Sequence, residues 1–144
     1  MNARPEEAPA YISYLRTKIN EYLRSELKAC GHGELVPSYG AVLHEVYSHD
    51  GEVQIKDVYD SVCRQKTTIT ESINRLVELG YLSKSACPTD ARCTYVRATD
   101  KAMAFKPEFD RISRQLRERY FQGFTEAEQE LFVRMLGRIM DHFR

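Results

Sequence analysis

Thr67-Thr68-Ile69-Thr70-Glu71-Ser72-Ile73-Asn74-Arg75-Leu76-Val77-Glu78-Leu79-Gly80 holds a complete amphipathic helix and its stop signal. Ile69, Ile73, Leu76 and Val77 recur at the i, i+4, i+7, i+8 spacing of one helical face, and Gly80 stands where a left-handed C-terminal cap is wanted. This spacing predicts a helix over residues 67–79. Its other face carries Thr67, Glu71, Asn74, Arg75 and Glu78, with Lys66 and Thr68 at the N-terminal edge. Short polar side chains at the start of such a helix can reach base edges in a major groove, while the apolar face holds the helix to its own domain.

Residues 53–62 precede it with helical spacing at Ile55, Val58, Tyr59 and Val62, and only residues 63–66 separate the two segments. That is a connection of helix-turn-helix length. Downstream, residues 81–87 and 93–98 read as strands flanking Pro88-Thr89-Asp90-Ala91-Arg92, whose Pro and Asp favour a turn. Helix, helix and hairpin in this order make a winged helix-turn-helix, so double-stranded DNA is the first partner to consider. Lys66, Thr67, Thr68, Thr70, Asn74 and Arg75 form the expected major-groove set, Thr and Asn towards bases, Lys66 and Arg75 towards phosphates.

The motifs Ile69-Thr70, Arg75-Leu76, Leu79-Gly80-Tyr81-Leu82, Asp90-Ala91-Arg92 and Ala98-Thr99-Asp100-Lys101 together resemble the recognition helix and wing of the MarR family of bacterial transcriptional regulators. The resemblance covers nearly the whole chain, and Asp-x-Arg ahead of a Thr-initiated helix is its most specific element. The chain departs from the family pattern at Glu71, Tyr59, Ala98, Ala102 and Lys84. The resemblance implies a winged lobe over residues 34–101 and helical dimerisation arms over 10–30 and 102–144, within one domain, 1–144. It implies a homodimer on an inverted-repeat operator, in the manner of a repressor, with Lys84 and Asp90 joining the DNA-binding set. Arg92 is placed at the wing tip, where a guanidinium is drawn to the negative potential of a narrow minor groove. Glu71 has two readings: it accepts from cytosine N4, or it forms a capping box with Thr68 and never faces DNA.

The fold class is therefore mostly α with a small β-hairpin wing (α+β), and 42% hydrophobic residues suit a globular core. The formal net charge is zero. Residues 53–101 carry Lys56, Arg64, Lys66, Arg75, Lys84, Arg92, Arg97 and Lys101 against Asp57, Asp60, Glu71, Glu78, Asp90 and Asp100, so the lobe is only slightly basic. Phosphate neutralisation supplies much of DNA affinity, so this balance favours modest, salt-sensitive binding or a dimer that sums two contributions. It also leaves open a winged-helix protein-interaction module with weak DNA binding. The polar opening residues 1–10, with Pro5 and Pro9, read as neither signal peptide nor membrane segment, and no apolar run spans a bilayer. A cytoplasmic protein with no membrane partner and four reduced cysteines is expected.

Ile12, Leu15, Ile19, Tyr22, Leu23 and Leu27 form a first helical stripe that ends near Gly31-His32-Gly33. Pro37 suits the first turn of a second helix with Val42, Leu43, Val46 and Tyr47 on its buried side. Thr99 is a fitting N-cap for a helix carrying Phe105, Phe109, Ile112, Leu116 and Tyr120, and Pro107 is expected to kink or restart it. Thr125-Glu126-Ala127-Glu128 reads as a capping box ahead of Leu131, Phe132, Met135, Leu136, Ile139, Met140 and Phe143. Such stripes pack within one subunit or, as the resemblance implies, against a second copy, with Ile12, Leu15, Ile19, Leu116, Leu136, Ile139, Met140 and Phe143 at the contact.

Catalytic signatures are lacking: no Gly-rich phosphate loop, no H-E-x-x-H and no nucleophile elbow occur, so an enzyme is not expected. Cys30, His32, His44 and His49 match no paired Cys/His zinc spacing, and His32 and His49 read as surface loop histidines; no metal or cofactor is expected. Small aromatic effectors are implied by the resemblance, with Tyr11, Tyr14, Tyr39 and Tyr47 either lining such a cleft or serving as core tyrosines. Cys87 and Cys93 lie symmetrically about Asp90 and become cross-strand partners if the hairpin is centred there, either as independent thiols or as a redox pair.

Overall fold

The computed structural model describes residues 2–61 and 64–144. Among them lie six α-helices and one three-stranded antiparallel sheet. The chain divides into two compact units, residues 1–108 and 109–144.

The first unit opens with α1 (Ala8–Ala29), which ends where His32 N–H returns to Leu27 O at 2.9 Å and Gly31 takes φ +84°. Pro37–Tyr39 forms a 3-10 turn rather than the first α-helical turn, and α2 follows as Gly40–Ser48, burying Val42, Leu43, Val46 and Tyr47 as its spacing requires. Asp50 and Gly51 then adopt positive φ and turn the chain into β1 (Glu52–Gln54). The expectation of a helix from residue 53 is corrected here: Val53 and Gln54 belong to the sheet, and α3 is confined to Ile55–Ser61. Val53 faces the core at 3% exposure, with Glu52 and Gln54 outward. Val62 and Cys63, assigned to the end of that helix and the turn, lie outside the described residues.

The next helix, α4 (Lys66–Glu78), stops as Gly80 dictates. Gly80 has φ +85°, Tyr81 N–H reaches Leu76 O at 2.9 Å and Gly80 N–H reaches Val77 O at 3.1 Å, the paired bonds of a Schellman cap. The wing follows as β2 (Leu82–Ala86) and β3 (Thr94–Ala98), paired Leu82↔Ala98 through Ala86↔Thr94. Strand order is β1-β3-β2, so the wing is a hairpin with a third short strand added on its β3 side. Glu52 and Arg97, directly opposite in the β1–β3 ladder, form a 3.0 Å ion pair, and Gln54 donates to Tyr95 across it. Val42, Leu43, Val46, Val58, Ile69, Ile73, Leu76, Tyr81, Leu82, Val96 and Phe105 are all nearly inaccessible and make the core that fixes α4 and the wing to one body. Burial of each aliphatic chain is worth about 1.5–3 kcal/mol.

Thr99 caps the start of α5 (Asp100–Tyr120), its hydroxyl accepting from Ala102 N–H. The helix runs unbroken through Pro107, so of the kink or restart expected there the restart does not occur. A proline two turns into a helix removes one hydrogen bond and strains the preceding turn, and the remaining turns of a 21-residue helix absorb this. The second compact unit begins two residues later, at Phe109.

In the second unit, Phe121 meets Phe124 and Phe132 edge-on, with ring centroids 5.9 and 6.0 Å apart. The capping box starts α6 (Glu126–Asp141) as expected: Glu128 N–H donates to Thr125 Oγ1, and Thr125 N–H donates to Glu128 Oε2 at 2.9 Å. Among the described residues, no helix is long and apolar enough to cross a membrane.

Candidate nucleic-acid interface

The outward face of α4 presents Lys66, Thr67, Glu71, Asn74 and Arg75 to solvent, while Ile69, Ser72, Ile73 and Leu76 are buried beneath it. Gln65 is the N-cap residue, with extended backbone, and no side chain caps this end. Thr68 is therefore already inside the helix. The Thr68–Glu71 capping box is not formed, because a box needs its Ser or Thr at a non-helical N-cap position. Glu71 instead stays on the exposed face with the basic and amide side chains.

Thr70 differs from its neighbours. Its hydroxyl donates to Lys66 O at 2.9 Å and pairs with Tyr59 Oη at 2.7 Å, so a half-buried tyrosine of α3 holds it. Lys66 Nζ lies 4.9 Å from the centroid of the same Tyr59 ring, a cation–π contact that fixes the first charge of α4. Asn74 Oδ1 accepts from Lys84 Nζ at 2.6 Å. That bond joins α4 to β2, so the helix and the wing share a polar seam. Arg75 pairs with Glu78 at 2.8 Å, and this bond raises the guanidinium pKa.

At the wing tip Arg92 N–H donates to Asp90 Oδ1 at 2.9 Å, an Asx turn that shapes the backbone, while Arg92 itself is exposed. Between the wing, α3 and the start of α4 opens a cleft of about 640 Å³ carrying Lys56, Lys66 and Arg92 beside Asp60 and Asp90. A second hollow of about 500 Å³ lies along α4, with Ser38, Tyr39, Glu71 and Arg75 on its walls. Lys56, Tyr59 and Tyr39 were not singled out by sequence for this surface. Lys56 had one available signal, a cation two residues from the buried Val58 on a short helix.

A buried network behind α4 also escaped the sequence. His32, expected at the surface, is half-buried with its ring centroid 4.4 Å from that of Phe105, and its Nδ1 shares a 2.5 Å hydrogen bond with Tyr81 Oη. Tyr81, fully inaccessible, donates to Glu34 Oε1 at 2.5 Å. Burial and this bond push the Tyr81 phenol well up, while the same bond, helped by Lys101, holds the Glu34 carboxyl below its usual range. Lys101 Nζ sits 3.4 Å from Glu34, 4.5 Å from the Tyr81 ring centroid and 3.0 Å from Leu79 O. The loop after α1, the end of α4 and the start of α5 are thereby tied together.

The four tyrosines raised as effector contacts are not gathered in one place. Tyr47 is buried with its hydroxyl on Ala102 O, Tyr39 borders the α4 hollow, Tyr11 bonds Glu7, and Tyr14 is 63% exposed. Among the described residues, no three His, Cys, Asp or Glu side chains converge as a metal site would require. Of the residues placed at a dimer contact, Ile12, Leu15, Ile139, Met140 and Phe143 are exposed, Phe143 at 86%, and Ile19, Leu116 and Leu136 are half-covered. Leu131, Val133 and Met135 add further exposed apolar surface on α6.

Comparison with known proteins agrees with this geometry. The family of winged helix DNA-binding domains matches residues 37–102. The chain is 30% identical over 91 residues, 63% of its length, to the HTH-type transcriptional repressor IacR of Pseudomonas putida, and spans about half (54%) of that protein. Three solved structures share the fold. The PcaV transcriptional regulator of Streptomyces coelicolor, in complex with its natural ligand, has a TM-score of 0.76 at 21% identity over 100% of this chain and 99% of its own. A mutant E. coli MarR complexed with operator DNA has a TM-score of 0.73 at 15% identity, covering 95% and 99%. A MarR transcriptional regulator from Methanosarcina mazei Go1 has a TM-score of 0.71 at 20% identity, covering 97% and 91%.

Proposed function

We propose that this chain, whose residues 37–102 match the winged helix DNA-binding domain and whose fold is shared by MarR regulators, is a DNA-binding transcriptional regulator, acting as a homodimeric repressor on an inverted-repeat operator. The observation that carries this reading is the polar seam between α4 and the wing. Lys84 on β2 bonds Asn74 on α4, so the exposed face of Lys66, Thr67, Asn74 and Arg75 is joined to the hairpin that carries Arg92 at its tip. A helix for the major groove and a hairpin tip for the adjacent minor groove must keep their spacing to bind together. Thr70, held by Tyr59, positions the helix start rather than reading a base. Lys56 and Lys66, flanking the cleft between wing and α3, are suited to the phosphates that run between the two grooves.

Dimerisation is supported by two uncovered apolar faces. Ile12, Leu15 and Tyr14 are exposed on α1, and Leu131, Val133, Met135, Ile139 and Met140 on α6, with Phe143 exposed just past its end. Apolar faces of this kind are ordinarily covered by a partner, and a second copy is the partner that doubles a weakly charged DNA surface. A second reading, a winged-helix module that binds protein in place of DNA, is favoured by the zero net charge and by Glu71 on the exposed face of α4. A gel shift with the protein's own upstream region at two salt concentrations separates them. DNA recognition requires a specific complex that weakens steeply with salt; a complex no stronger than with unrelated DNA at either salt favours the protein partner.

A further inference from the structure

The wing register carries past its last assigned pair. Residues that face each other across β2 and β3 have numbers that sum to 180, from Leu82↔Ala98 to Ala86↔Thr94, and the next pair in that register is Cys87 and Cys93. Cys87 N–H donates to Cys93 O at 3.0 Å, so the two remain paired at the root of the tip turn. Opposed residues at a hydrogen-bonded antiparallel position lie about 5.5 Å apart at Cα, inside the range a disulfide spans. The two thiols are free and half-exposed.

We propose that Cys87 and Cys93 form an oxidisable dithiol whose reaction with a hydroperoxide closes a disulfide across the wing and weakens the grip of the wing on its target. The two sulfurs are not equivalent. Thr89 hydrogen-bonds Cys87 Sγ through its hydroxyl at 3.4 Å and through its backbone, and these bonds pull the Cys87 thiol down to about 7. Desolvation and the neighbouring Cys87 push Cys93 up. Thiolate is the reactive form, and a thiol that ionises near ambient pH combines population with nucleophilicity. Cys87 is therefore the attacking sulfur and Cys93 the resolving one.

In the first step the Cys87 thiolate attacks the distal peroxide oxygen, the O–O bond breaks, Cys87 becomes a sulfenic acid and the alkoxide takes a proton to leave as the alcohol. In the second, Cys93, deprotonated as it attacks, forms the S–S bond and displaces hydroxide, which leaves as water. The two thiols lose two electrons and two protons; the hydroperoxide is reduced to one alcohol and one water. Closure removes the Cys87–Thr89 bond and constrains both flanks of the turn that Asp90 and Arg92 build. Cys30, by contrast, bonds Leu27 O within α1's end and has no cysteine opposite it in a ladder.

The test treats the reduced full-length protein with one equivalent of tert-butyl hydroperoxide and maps peptides without reduction. Trypsin separates residues 85–92 from 93–97, so the disulfide appears as these two peptides joined, lighter by two hydrogens than their sum. The same treatment is expected to lower affinity for the upstream fragment at least fivefold, reversibly with dithiothreitol, and to leave a Cys87→Ser, Cys93→Ser variant unaffected. Alkylation of Cys87 in the parent should be half-maximal near pH 7, and Thr89→Val should move that midpoint up and slow the peroxide reaction. Sulfinic acid on Cys87 with Cys93 still free, or first reaction at Cys30 or Cys63, overturns the site. A mapped disulfide with unchanged DNA affinity overturns the regulatory role. That role rests on the DNA-binding reading, and reduced protein that binds no DNA defeats the reading itself without touching the peptide map.

Discussion

Tyr81→Phe removes one oxygen from the centre of the buried network while preserving the ring that packs on Phe105 at 6.1 Å. The hydroxyl has two partners, Glu34 Oε1 and His32 Nδ1, both at 2.5 Å. A hydrogen bond to a charged group is worth about 1.5–3 kcal/mol and a neutral one about 0.5–1.5 kcal/mol. Glu34 keeps 35% side-chain exposure and can rehydrate, which brings its share to the low end, and half-buried His32 loses a partner it cannot replace as easily. The expected loss is about 2 kcal/mol. For a chain of this length each kcal/mol moves the midpoint by about 3 °C, so the variant should melt about 6 °C below the parent. The assay is thermal unfolding by circular dichroism at equal protein concentration, because a dimer's midpoint depends on concentration. The pH dependence has a defined sign. Glu34 titrates below its ordinary value of 4.5 in the folded chain, first because Tyr81 donates to its carboxylate. Its contribution is therefore full above the unfolded value and is lost as pH falls through the folded one. The gap between parent and variant should be widest near pH 7 and shrink below pH 4.5. A variant that melts within 1 °C of the parent at pH 7 refutes the network as a source of stability.

Arg92→Ala should weaken DNA binding by about 1–3 kcal/mol with an unchanged melting midpoint, since the side chain is exposed and only its backbone is held by Asp90; anisotropy titration and melting curves check both halves. Glu71→Arg separates two roles for that carboxylate: if it only repels the backbone, affinity rises for all sequences and the salt slope steepens by about one unit, whereas a cytosine reader loses the specific site and gains non-specific binding. Ile139→Asp on α6 and Phe143→Asp just past its end, both at exposed positions, should leave the chain folded but raise the dimer dissociation constant at least tenfold in sedimentation velocity. Parent protein that sediments as a folded monomer at micromolar concentration contradicts the dimer.

Structure that a few adjacent residues specify is legible in the sequence. Gly80 and the Ile69-Ile73-Leu76 stripe located the end of α4 because a Schellman cap is specified within six residues. The turn residues around Asp90 set the wing register for the same reason. The two Thr-x-x-Glu patterns show where local reading ends: Thr125–Glu128 forms a capping box and Thr68–Glu71 does not, because Gln65 starts α4 three residues earlier. Helical spacing over residues 53–62 hides β1, since three residues are too few to show alternation and the partner of Val53, Val96, lies 43 positions away. His32 reads as a loop histidine for the same reason: its partners Tyr81 and Phe105 are non-local, and a buried tyrosine hydroxyl gives no sign in sequence of what satisfies it. In the candidate interface the charged positions were legible from helical phase, but the Tyr59–Thr70 and Lys84–Asn74 bonds depend on how α3 and β2 dock on α4.

The most direct measurement is a hydroxyl-radical footprint of the full-length, reduced protein on its own upstream region at low salt. A recognition helix in the major groove and Arg92 in the adjacent minor groove on each of two protomers predict two protected patches about one helical turn apart, flanked by outer protections that vanish in Arg92→Ala. Absence of any protected segment up to micromolar protein would contradict DNA recognition by α4 and the wing.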